Sequence, residues 1–141
     1  MRGFTLPEML LVLVLVGLAA GIVVPPLGRA LDQAAVNEAA ERYAVLHETA
    51  RNLAIARGRN ARVELDSTRR EAVIALRRSG AVWDTLDAWT LGRAQLSASQ
   101  TMITFSPLGI GTGASNTRIV FTAGIAAETV TVSRTGRLRR S

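Results

Sequence analysis

The chain has 141 residues, 48% of them hydrophobic, and a net charge of +6 at neutral pH. Beyond a leading apolar segment the remainder is one small domain. With no cysteine it has no disulfide framework, thiol nucleophile or cysteine metal site, and all 17 basic residues are arginines, able to grip a carboxylate or phosphate at two points.

The first feature along the chain is Gly3-Phe4-Thr5-Leu6-Pro7-Glu8, followed by the apolar run Met9 to Val24. As a helix, Phe4 to Leu27 would be about 36 Å long, against about 30 Å for the hydrocarbon core of a bilayer. A secretory signal peptide is the competing reading, with Arg2 as its basic residue and Ala19-Ala20-Gly21 as its small-residue cleavage site. The apolar run does not stop there but continues through Ile22-Val23-Val24, so it reads as an anchor that stays. Arg2 on the short side predicts an N-in orientation. Glu8 is the anomaly. A charge costs about 2.5–3.5 kcal/mol at a bilayer centre, and less near an interface. Such a residue is usually kept for a partner. An amine four residues upstream would serve, and it exists only if the chain is cut between Gly3 and Phe4.

Over residues 3 to 27 the pattern resembles the processing site of the type IV pilin superfamily: Gly3, Phe4, Thr5, Leu6, Glu8, an unbroken apolar stretch, Gly17 and then Pro25. The resemblance implies cleavage after Gly3 by a prepilin peptidase and N-methylation of the new terminal Phe4. It also implies that Glu8 neutralises that amine during filament assembly. Two departures stand out. Pro7 replaces the usual aliphatic residue, which is tolerable because first-turn amides have no intrahelical acceptor. The leader is only Met1-Arg2-Gly3.

Pro25-Pro26 predicts a kink or a locally melted turn at 23–27, since a proline removes a helical hydrogen bond. Beyond it Leu31, Ala35, Ala39, Tyr43, Leu46, Ala50 and Leu53 recur at helical spacing, with Asp32, Asn37, Glu41, Glu48 and Asn52 off that stripe. Glu38 and Arg42 form an i,i+4 pair. Gly58 reads as the helix stop. One helix from about Leu6 to Arg57 is therefore predicted, its first half in a membrane or filament core and its second half on a sheet.

The period then changes. Arg62-Val63-Glu64-Leu65 alternates as a half-buried strand does. Asp66 to Arg70 is a turn, Ala72, Ile74 and Leu76 share a strand face, and Ser79-Gly80 turns again. Thr101 to Phe105, Arg118 to Thr122 and Thr129 to Ser133 are further strands, pairing antiparallel. Residues 84 to 98 have no clear pattern. The fold class is α+β, one N-terminal helix laid across an antiparallel sheet. The predicted divisions are a leader at 1–3, a transmembrane and filament-core helix at 4–27 and a periplasmic domain at 28–141. The second half of the chain, with Phe105-Ser106-Pro107-Leu108-Gly109 and Gly136-Arg137-Leu138-Arg139, resembles the GspH/FimT group within that superfamily. These are minor pseudopilins of type II secretion and minor type IV pilins.

Other candidate sites are weak. Gly109 to Ala114 has the letters of a dinucleotide fingerprint, but a strand follows where a phosphate-binding helix should start, so it reads as a hairpin loop. His47 is alone and reads as a packing residue; no metal site is expected. Asp84 and Asp87 read as a solvated loop, and Trp83 and Trp89 beside them as core before contact surface. No cofactor is implied. No enzymatic constellation is found, and with no Walker-type loop, energy must come from a partner assembly ATPase.

The arginine tail is the remaining feature. Residues after 28 hold 16 arginines against 10 carboxylates, and Arg134, Arg137, Arg139 and Arg140 all follow the last acid, Glu128. In FimT-like minor pilins, a terminal Gly-Arg-x-Arg is associated with DNA capture, and Gly136 to Arg139 has those letters. If all four arginines engaged phosphates, log K would fall by roughly three per decade of salt. Two functions are thus expected. The first is an H-type minor pseudopilin in a type II secretion pseudopilus that exports folded proteins. The second is a minor type IV pilin whose tail binds DNA. Either would be anchored once in a bacterial inner membrane, with its domain in the periplasm, and partnered by other pilin or pseudopilin subunits.

Overall fold

The computed structural model describes residues 5–112 and 116–141, which form one helix and nine strands. The helix, α1 (Leu6–Arg57), is 52 residues long. Thr5 caps it in extended conformation, and Pro7 falls in the first turn, where no hydrogen bond is lost. The helix continues through Pro25-Pro26, so the melted turn expected at 23–27 does not form. A proline's fixed φ of about −65° is compatible with a helix, and each one removes a single donor. At the other end Gly58 adopts φ 59°, its amide bonds Ile55 O at 3.2 Å and the Arg59 amide bonds Ala54 O at 3.1 Å. This is the glycine stop that the sequence predicts.

Two antiparallel sheets stand where the sequence suggests one. The first joins β3 (Val82–Thr90), β2 (Glu71–Ser79), β1 (Ala61–Asp66), β5 (Met102–Phe105) and β6 (Gly111–Thr112) in that order. The second joins β4 (Gln95–Ala98), β7 (Thr117–Ala123), β8 (Ala126–Val132) and β9 (Leu138–Arg140). In β1, Ala61, Val63 and Leu65 are buried while Arg62, Glu64 and Asp66 face away from the core. Val63 lies opposite Ile74 on one side and Ile103 on the other. In β7, Thr117, Ile119 and Phe121 are buried by the same alternation. The Asp66 carboxylate accepts from the Thr68 and Arg69 amides at 2.8 and 3.0 Å and shapes the predicted turn into β2.

The second half of α1 covers both sheets. Ala35, Ala39, Tyr43, Leu46 and Ala50 of the predicted stripe are buried, and Leu53 is partly so. Leu31 is the exception at 51% exposure, because it lies below the turn where the strands begin to cover the helix. Val36, Ala40, His47 and Ala54 complete the buried face. The Arg42–Glu38 pair forms at 2.7 Å.

The stretch 84–98 resolves into two strands. Asp84, Asp87, Trp83 and Trp89 lie on the edge strand β3, not in a loop. Asp84 pairs with Arg78 at 2.9 Å, and Asp87 accepts from the Trp89 indole, so the two acids do not form one site. Trp89 packs against the core, while Trp83 is half-buried beneath the Arg62 guanidinium, 4.3 Å from its ring centroid.

Candidate functional site

Two surfaces could carry function. The first is the leading half of α1. From Leu6 to Leu18, and again at Ile22, its large apolar side chains are 50–76% exposed on every face. A helix that is apolar all round is stable in water only when something covers it. This segment is long and apolar enough to cross a membrane. Glu8 sits at its start, and its carboxylate reaches back over the first turn. There it accepts from the Thr5 amide and the Thr5 hydroxyl, each at 2.8 Å. This is the return arm of a capping box. The carboxylate is thus aimed at Thr5, the second residue after the predicted cleavage point. Gly3 and Phe4 themselves lie outside the described residues.

The second surface is the C-terminal hairpin. Ser133 to Arg137 turns β8 into β9: the Gly136 amide bonds Ser133 O at 2.9 Å, the Ser133 amide bonds Arg137 O at 2.8 Å and the Arg137 amide bonds Ser133 Oγ at 3.0 Å. Gly136 takes φ +80°, and a Cβ there would lie 3.1 Å from Phe105 Cε1 and 3.3 Å from the Gly111 amide. The glycine of Gly-Arg-x-Arg is therefore required by local packing.

Strand alternation then separates the arginines. Leu138 packs on the core, so Arg140 shares its side and pairs with Glu128 at 3.0 Å. Arg137 and Arg139 line a cleft of about 520 Å³ together with Asn116, Thr131, Ser133, Thr135 and Leu138. Arg118 stands opposite Thr131, which stands opposite Arg139. Arg118 thus joins this cationic row although 19 residues of sequence separate it from Arg137. Only the strand register reveals it. Arg134 is exposed at the turn. Of the four tail arginines, Arg140 is held by an acid, and among the described residues Arg134, Arg137 and Arg139 have no ion pair.

The remaining sequence candidates are structural. Gly109 turns the β5–β6 hairpin with φ +72°, and β7 follows instead of a helix, so no dinucleotide cradle is formed; Gly113 and Ala114 lie outside the described residues. His47 is buried between α1 and the sheets, edge-on to Phe105 at 4.9 Å and tilted against Tyr43 at 5.9 Å. Among the described residues no group of three or more His, Cys, Asp or Glu is placed to hold a metal ion.

Against known proteins, the family model for Type II transport protein GspH matches residues 39–136. The fold is similar to that of the type IV minor pilin FimU of Pseudomonas aeruginosa, with a TM-score of 0.63 and 16% identity over 75% of this chain and 87% of that one. It is equally similar to the minor pseudopilin EpsH from the Type 2 Secretion System of Vibrio cholerae, with a TM-score of 0.62 and 16% identity over 75% and 95%. A comparison with curated protein sequences returns no significant match. The matched span takes in α1 from Ala39 onward, every strand except β9 and the hairpin glycine, and on that ground the chain belongs to the GspH family, with a pilin-like α+β fold.

Proposed function

We propose that the chain is an H-type minor pseudopilin, a structural subunit of a type II secretion pseudopilus that moves folded proteins outward. The observation that carries this reading is one helix with two environments. Its second half is buried under two sheets, and its first half is apolar on every side and uncovered. The family assignment supports it. In this reading a prepilin peptidase cuts between Gly3 and Phe4, Phe4 is methylated, and the domain from residue 28 onward stands in the periplasm. Leu6 to Leu27 spans the inner membrane until the subunit is drawn sideways into the filament. Equivalent helices of other subunits then replace lipid around it. Membrane helices associate through packing and polar contacts, since lipid is as apolar as leucine. Glu8 supplies the polar contact, meeting the terminal amine of Phe4 in its own or a neighbouring chain and setting the register. An assembly ATPase provides the work.

A second reading is favoured by the hairpin cleft. Arg137 and Arg139 line one recess beside Arg118, as a phosphate-binding surface would require. In this reading the chain is a minor pilin that binds DNA. With Arg118, Arg137 and Arg139 as the contacts, log K would fall by about 2.7 per decade of salt on duplex DNA. Detergent-solubilised full chain in mobility-shift titrations tests this, and unchanged affinity after Arg137→Ala with Arg139→Ala would remove it.

A deletion strain of the source organism separates the two, scored for extracellular enzyme release and DNA uptake together. Exoproteins retained in the periplasm with normal uptake support the secretion role. Normal secretion with lost uptake supports the pilus role and rejects the first reading.

A further inference from the structure

Where α1 leaves its apolar run, a hairpin meets it. The β7–β8 turn contacts the helix at Asp32, and Gly124 takes φ +54°, where a Cβ would overlap the Asp32 carboxylate. Asp32 lies five residues past Leu27, or about 7.5 Å along the helix axis. The polar zone of a bilayer extends roughly 5–8 Å beyond the hydrocarbon on each side. The inference rests on the reading that Leu6 to Leu27 spans a membrane, which puts this hairpin tip at headgroup level.

The residue at the tip is Ile125. At 82% exposure it is the most exposed large hydrophobic side chain among the described residues. Turns favour small and polar residues, so local geometry gives no reason for an isoleucine there. Charged groups stand beside the turn. Arg93 borders a cavity of about 390 Å³ together with Asp32, Gln95 and Gly124, and Asp32 is the single carboxylate lining it. Arg70 donates to the Arg93 carbonyl at 3.5 Å, and Arg29 is exposed on α1 one turn before Asp32. An exposed apolar tip with Arg93 near its base and Arg29 on the adjoining helix, two cations against the one carboxylate of Asp32, is complementary to anionic lipid.

We propose that the Gly124–Ile125 tip, with Arg29 and Arg93, docks on the anionic phospholipid surface and gives the domain a second membrane contact beside its helix. This contact holds the domain in one orientation before assembly and is released when the subunit enters a filament.

The absence of cysteine makes the test clean. The full chain is prepared as Ile125→Cys, Leu15→Cys and Leu108→Cys variants, each labelled with an environment-sensitive fluorophore. Each is reconstituted in phosphatidylethanolamine–phosphatidylglycerol vesicles containing a nitroxide-bearing lipid. Leu108 reports the far pole, since its neighbour Gly109 is bonded to Arg51, about 28 Å along α1 from Asp32. Docking predicts lipid quenching at 15 and 125 but not at 108. Arg29→Gln and Arg93→Gln should each lower the docked-to-undocked ratio by about fivefold. Quenching at 15 with none at 125 overturns the docking and leaves the anchor standing. No quenching at 15 overturns the anchor itself, and the docking with it. Equal quenching at 125 in pure phosphatidylcholine vesicles refutes the anionic contact. A label at 125 that is shielded from aqueous iodide yet untouched by the nitroxide lipid marks a protein neighbour and also refutes the proposal.

Discussion

His47 shows how one residue can be correctly typed from sequence while its consequence stays hidden. A lone histidine beside an apolar stripe reads as packing, and it packs. The strands that bury it are set by long-range pairing. That burial, with Arg51 nearby as a second cause, holds its pKa down at about 4 instead of 6.5. The folded state therefore resists protonation. Its neutral form contributes full stability above pH 6.5, and that contribution is lost as pH falls from 6.5 to 4, by about 3 kcal/mol. Urea midpoints measured over that window should fall with pH in the wild type and fall less in His47→Leu; parallel curves would contradict this. Tyr43, buried alongside, has its phenol pushed up by burial and stays neutral throughout. Gly136 carries a different constraint, a left-handed φ against Phe105. Gly136→Ala should destabilise the fold by about 1–3 kcal/mol in denaturant titration. The letters of Gly-Arg-x-Arg are legible in the sequence. That Arg140 faces the other way, and that Arg118 completes the row, is not, because both depend on the register of β7, β8 and β9.

At the scale of elements, α1 and the strands with one covered face were readable because burial on one side imposes a period. Ala61, Val63 and Leu65 alternate with Arg62, Glu64 and Asp66 for that reason. The edge strand β3 was not readable. Neither of its faces is fully covered, and its pairing with β2 is interrupted at Ile74/Ala75 and at Arg77/Ser79, so no period survives over Val82–Thr90. Nor was β9 readable, since three residues are too few for a pattern. The helix–sheet contact includes four small residues: Ala39, Ala40, Ala50 and Ala54 are fully buried. These alanines are fully covered between the larger buried Val36, Tyr43, Leu46 and His47 of the same face. Ala50→Leu should therefore cost about 1–3 kcal/mol by overpacking. Ala56→Leu, on the exposed face of the same helix, should change stability by no more than about 0.5 kcal/mol. Equal urea midpoints for the two variants would contradict this packing.

For the whole molecule, the α+β class follows from the order of periods, but the division into two sheets does not. Which strand pairs with which is settled by distant contacts, such as β1 between β2 and β5, that no local pattern encodes. What the sequence does display is a division of labour. The domain is closed by packing alone, without disulfides, while the leading half-helix is left with its apolar surface unsatisfied. In the proposed function that surface, with Glu8 at its start, exchanges lipid for neighbouring helices. The most direct test compares wild type with Glu8→Ala in the source organism. The processed N-terminus is read by mass spectrometry, and incorporation is read by cross-linking to neighbouring subunits through single cysteines on α1. The account predicts normal cleavage after Gly3 with incorporation reduced by about tenfold, the effect of losing one polar contact of about 1.4 kcal/mol in a membrane-like interior. Normal cleavage with normal incorporation would contradict it.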